Sequence, residues 1–82
     1  MSKEYDIIPV LTKETLDRYV NEKIPTGGFL YSVLTNDLFG AVAKADEGNV
    51  IALRAIVRYI YNELPGNCWG DPVTVKEWLA KK

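Results

Sequence analysis

Arg54, Arg58 and Tyr61 follow one another about a turn apart in the run NVIALRAIVRYIYNEL, and they carry the clearest binding chemistry in the chain. Arginine forks hold phosphate oxygens bidentately, and a tyrosine one turn on can stack a base, a combination suited to nucleotides. The same arginines can instead pair with Asp37, Asp46 or Glu47 of a neighbouring helix. Trp69, in a Cys-Trp-Gly loop, either walls a pocket or plugs the end of a small core. Asn36 and Asp37 interrupt an apolar run, Thr35-Asn36-Asp37 in GGFLYSVLTNDLFGAVAKAD. A buried asparagine between helices fixes register and oligomer number, and beside a ligand the same amide and carboxylate read polar base or ribose edges.

Catalytic groups are scarce. Asp37 and Asp46 are both near the second helix, but acid–base work needs a carboxylate pair held across a substrate with shifted pKa values, which spacing alone does not provide. There is no histidine and the only cysteine is Cys68. That excludes a cysteine–histidine nucleophile, a histidine general base, a tetrahedral zinc site and an intramolecular disulfide, so a packed thiol is expected. Gly27-Gly28 is too short for a phosphate loop and reads as a tight turn before a helix. No catalytic residue, metal or cofactor is expected.

These side chains need elements to position them. Residues 1 to 11, with Ile7, Ile8, Val10 and Leu11 around Pro9, predict an extended arm, because proline and the residue before it resist helix. Thr12 caps a first helix over about 13 to 23, with Leu16, Tyr19, Val20 and Ile24 on its buried side. After the break at Pro25 to Gly28, a second helix runs over about 28 to 45. Leu30, Leu34, Leu38, Ala41 and Ala45 form one apolar face of it, and Phe29, Val33, Gly40 and Ala43 a second. Gly40 implies close approach of another backbone.

Asp46 or Gly48 opens a third helix over about 48 to 64, ended by Pro65-Gly66. Its wide core face is Val50, Leu53, Ile56, Val57, Ile60 and Leu64, with Ile51, Ala55 and Tyr59 turned away. Asp71-Pro72 starts a short fourth helix over about 72 to 80, docked by Val75, Trp78 and Leu79. The expectation is one all-α domain over 1–82, a bundle of about four helices with an N-terminal arm. Self-association through the second or third helix is expected, and the second apolar side of helix two either meets another copy of the chain or is covered by the N-terminal arm.

Composition bounds the partners. An apolar share of 48% and a charged share of 26% are those of a folded globular chain, close to the smallest size a single core stabilises. A formal charge of −1 leaves no positive field for generic DNA binding. No apolar run reaches the ~20 residues of a membrane span, and a reducing, cytoplasmic setting is expected.

The blocks Pro25-Thr26-Gly27-Gly28-Phe29-Leu30, Val33-Leu34-Thr35-Asn36-Asp37-Leu38, Ala45-Asp46 with Asn49, Pro65 with Cys68-Trp69-Gly70, and Val75 to Leu79 with Trp78 come in a fixed order. Together they resemble a pattern shared by small phage and prophage proteins, PGxFLxAVLxNDLxxAxxxADxxN followed by PxxCWG and VxxWL. The resemblance covers about residues 24 to 79, and departs at Thr26-Gly27-Gly28, where the pattern has proline directly before glycine. It implies an accessory protein of the infected bacterial cytoplasm. By analogy with small phage proteins that sequester nucleotide second messengers, it implies a counter-defence protein that captures a cyclic oligonucleotide or cyclic ADP-ribose signal without cleaving it. The competing expectation is an interaction module that binds and inhibits a host protein.

Overall fold

In the computed structural model, which describes residues 3–81, the polar triplet at Thr35-Asn36-Asp37 is a helix break. The helix expected over 28 to 45 is two helices, α2 (Gly28–Leu34) and α3 (Leu38–Lys44). Asn36 adopts the left-handed conformation, φ 65°, which asparagine tolerates better than most residues. Its N–H donates to the carbonyl of Val33, and the Asp37 N–H donates to that of Ser32. This reciprocal pair is a Schellman termination, which satisfies carbonyls that the ended helix would leave orphaned. Asp37 also caps α3, its Oδ1 accepting from the Gly40 N–H at 3.0 Å, so one three-residue hinge both ends α2 and starts α3.

Among the described residues the chain is all-helical, with six α-helices and no strand. The others are α1 (Val10–Glu22), α4 (Glu47–Ile51), α5 (Leu53–Glu63) and α6 (Pro72–Leu79), with a 3-10 turn over Gly66–Cys68. The single third helix expected over 48 to 64 is divided at Ala52, a fully buried residue with φ −92° and ψ 5°. Asp46 caps α4 and Asp71 caps α6, accepting from the amides of Asn49 and Thr74 respectively. The bond from Thr74 holds the Asp71 carboxyl below its usual range.

The N-terminal segment is not an extended arm. Residues 4–7 form turns, closed by Asp6 N–H to the carbonyl of Lys3 and Ile8 N–H to that of Tyr5, and Met1 and Ser2 lie outside the described residues. α1 starts at Val10, with Pro9 as its N-cap, because proline's fixed φ suits the entry to a helix and its carbonyl receives the Lys13 N–H. Thr12 therefore caps nothing. It is buried in α1, where its hydroxyl donates to Asn49 Oδ1 at 2.7 Å and ties α1 to α4.

The core gathers Ile8, Leu16, Tyr19, Leu30, Leu34, Ala52, Ala55, Ile56, Ile60, Leu64, Cys68, Val75 and Trp78. Two buried polar groups are fully engaged: the Tyr19 hydroxyl donates to the Cys68 carbonyl at 2.7 Å, and Trp78 Nε1 donates to the Tyr19 carbonyl at 3.1 Å. They lock α1, the 3-10 turn and α6 together. On the third predicted helix the faces differ from expectation: Ala55 belongs to the core, whereas Val50 and Val57 are exposed. Around α5, Ala55 and Val57 lie about 100° to either side of the fully buried Ile56, and the core packs on the Ala55 side.

Candidate functional site

Between α3 and α5 lies a cleft of about 350 Å³, lined by Leu34, Leu38, Ala41, Leu53, Val57 and Ile60 among other residues. Its polar lining comes from Ser32, Asn36 and Asp37, and its aromatic lining from Tyr61 and Trp69. The hinge delivers the polar groups. The left-handed turn at Asn36 and the cap at Asp37 put an exposed amide and carboxylate side by side on the rim.

Trp69 reaches the cleft because its loop is pinned to the end of α2: the Gly70 N–H donates to the carbonyl of Leu34 at 2.7 Å. Gly70 has φ 128°, a conformation that side chains disfavour, which is what the Cys-Trp-Gly sequence requires of its last residue. The Trp69 and Tyr61 rings meet at 5.7 Å between centroids, inclined at 52°. Trp69 also packs on the core, so it serves as both wall and plug. Its Nε1 is buried with no acceptor among the described residues, a state that costs roughly 1–3 kcal/mol until an acceptor is supplied.

Of the six side chains picked from the sequence, Asn36, Asp37, Tyr61 and Trp69 line this cleft, and Arg54 and Arg58 do not. Arg58 is exposed and its Nε donates to Glu4 Oε1 at 2.7 Å, which raises its pKa through that bond. The arginine partners expected from sequence were Asp37, Asp46 or Glu47; instead Asp37 and Asp46 cap helices and the N-terminal turn supplies Glu4. Arg54 is exposed two turns before Tyr61, about 20° from it around the α5 axis. Asn36 is exposed rather than buried between helices.

Gly40 is also explained differently. A Cβ there would run into the Asp37 carboxylate and come within 2.9 Å of Ser32 Oγ, so the close neighbours are side chains of the hinge and α2, not another backbone. Lys44 Nζ donates to the same Ser32 hydroxyl at 3.2 Å. Sequence reasoning did not select Ser32, Leu53 or Val57 for the site. Ser32 stands in an apolar run with nothing to single it out, and Leu53 and Val57 both fall on the expected core face of the third helix.

Cys68 is a buried free thiol, and burial pushes its pKa up to about 11, so it stays protonated and unreactive at neutral pH. Among the described residues no three His, Cys, Asp or Glu side chains converge to hold a metal ion. No helix among them is long and apolar enough to cross a membrane. Comparison of the chain with protein-family models, curated proteins and solved structures finds no match.

Proposed function

We propose that the chain is a non-catalytic binding protein that captures a small nucleotide, of the cyclic oligonucleotide or cyclic ADP-ribose kind, in the α3–α5 cleft. The carrying observation is that Asn36, Asp37, Tyr61 and Trp69, drawn from three separate stretches of sequence, line one largely apolar cleft. A mostly apolar pocket of a few hundred Å³ with a few convergent polar groups is the usual form of a small-ligand site.

In this reading a base lies against the aliphatic floor with Tyr61 and Trp69 beside it. Asp37 Oδ1 is engaged in capping α3. Its other oxygen is the acceptor for an exocyclic amine, and the Asn36 amide reads a neighbouring edge. The Asp37 charge keeps phosphates from that end of the cleft, which leaves them the Arg54 side. Arg58, held by Glu4, is a supporting rather than a ligand-holding residue. The setting in phage counter-defence, in the host bacterial cytoplasm, rests on the sequence resemblance alone.

The test is thermal stabilisation of the purified protein by a panel of cyclic dinucleotides, cyclic trinucleotides and cyclic ADP-ribose isomers. A ligand at a hundred times its dissociation constant adds about 2.7 kcal/mol. The expected result is a shift with one nucleotide, recovered unchanged, lost in Tyr61→Ala and Asn36→Ala and retained in Arg58→Ala. No shift across the panel refutes the reading.

A second reading is favoured by the exposed Leu38, Phe39 and Val42 of α3: a module that binds and inhibits a host protein through that face. It requires a stoichiometric host protein retained by the native chain and released by Phe39→Asp, with no nucleotide effect.

A further inference from the structure

The outward side of α3 carries Leu38, Phe39, Val42 and Ala43, all exposed and none of them polar. Phe39 is 85% exposed, more than any other large apolar residue of the described chain, and Leu38 is 62% exposed. The patch continues across the cleft to Val57 and Tyr61, exposed by 47% and 70%, because Leu38, Val57 and Tyr61 line the same depression. Together with Val42 these residues present on the order of 600 Å² of surface, at the upper end of what monomeric proteins leave uncovered. Two such patches facing each other bury about 1,200 Å², the lower bound of a standard stable interface.

We infer that a second copy of this chain covers this face, and that each copy lays its Phe39 over the α3–α5 cleft of the other. The placement follows from helix geometry. Around the α3 axis, Leu38 and Val42 lie about 40° apart and form a ridge. Ala41, on the cleft side, falls about 60° to one side of Leu38, and Phe39 falls about 60° beyond Val42 on the other. A two-fold axis parallel to α3 and just outside the ridge packs the two ridges together and exchanges their flanks. The flank bearing Phe39 then faces the partner's cleft, and the partner's Phe39 faces this one. Such an isologous contact buries the most exposed aromatic ring of each chain against Leu38, Val57 and Tyr61 of the other. The cleft gains a wall on its open side. The contact stands on the exposed face and does not depend on the nucleotide reading, since it forms without ligand.

A second exposed apolar group, Ile7, Val10 and Leu11 at the start of α1, with Ile51 of α4, provides the internal control. The experiment is sedimentation or light-scattering mass of the full chain without ligand, from micromolar to hundred-micromolar concentration, for the native chain, Phe39→Asp and Leu11→Asp. Helix content from circular dichroism and Trp69 emission are followed in parallel. The native chain and Leu11→Asp should show twice the chain mass. Phe39→Asp should show single-chain mass with unchanged helix content and a red-shifted tryptophan emission, as Trp69 loses its cover. Because Phe39 is almost fully exposed within one chain, loss of folding does not stand between this variant and its readout. Single-chain mass for the native protein at every concentration overturns the inference and leaves the α3 face to a different protein. Dissociation by Leu11→Asp but not by Phe39→Asp overturns it in favour of the α1 face.

Discussion

Single side chains in this protein do double duty, and their substitution should show it. Asp37 terminates α2 through its amide, caps α3 through its carboxylate and lines the cleft. Replacing it by alanine should cost about 1 kcal/mol from the lost cap. Gly40→Ala is the sharper case. Alanine is favoured over glycine in a helix by about 1 kcal/mol, but here the added methyl must displace the Asp37 carboxylate that holds the Gly40 amide. The expected outcome in urea unfolding is a loss of about 1–2 kcal/mol, with a gain contradicting the geometry. The buried Cys68 and Tyr19, with the half-buried Tyr59 that burial and its bond to Asp17 push up to about 12, favour the folded chain less as pH rises. Burial moves the thiol from its usual 9.0 to about 11 and the Tyr19 phenol well above its usual 10.0, with the neighbouring Cys68 adding to the latter. Above pH 9 the unfolded chain releases protons that the folded chain retains. Stability from these groups is therefore complete below that pH and lost as pH rises. Urea midpoints between about pH 8 and pH 11 should fall, and Cys68→Ala should flatten part of the slope; a flat native profile would dismiss the assignment.

At the level of elements, sequence periodicity found the apolar segments and missed where they break. The caps at Asp46 and Asp71 were readable because aspartate before a helical pattern, or before proline, is a local signal with a local cause. The hinge at Asn36 was not, because its flanks keep compatible helical spacing and the left-handed turn is a backbone choice that asparagine permits without announcing. Reading through it placed Leu38 on the same buried face as Leu34; the turn instead carries Leu38 to the surface. The site was half legible for the same reason. The polar interruption of an apolar run pointed to Asn36 and Asp37, and the Cys-Trp-Gly loop to Trp69; spacing along one helix grouped Arg54, Arg58 and Tyr61, of which Tyr61 alone lines the cleft. The hinge gives its own prediction. Asn36→Gly should leave stability within a few tenths of a kcal/mol of native or raise it slightly, since glycine adopts the left-handed region freely. Asn36→Val should lose about 1–2 kcal/mol, because a β-branched residue there is strained. Equal stabilities for the two variants would show that the backbone at Asn36 is not held in that conformation.

On the scale of the whole molecule, the described chain is as compact as its length permits and yet thin. Its radius of gyration is 11.8 Å, close to the ~12 Å expected of a globular chain this long, but its extents are 31 × 30 × 18 Å. A slab of this thickness holds one buried layer, so helices short enough to need tertiary support expose apolar residues on their outer sides. α4, five residues long, has no buried residue, and α3, seven residues long, buries Ala41 alone while exposing Leu38, Phe39 and Val42. If a second copy covers it, folding and association are linked by mass action, and the thermal midpoint of the native chain must rise with protein concentration. Phe39→Asp removes the link while changing a side chain that contributes little within one chain, so its midpoint should be independent of concentration. Its stability should equal that of the native chain at high dilution within about 0.5 kcal/mol. A native midpoint independent of concentration would mean that α3 is stabilised within the single chain, through the Asp37 cap and its packing on α2. In that case the apolar face is held open for a different occupant.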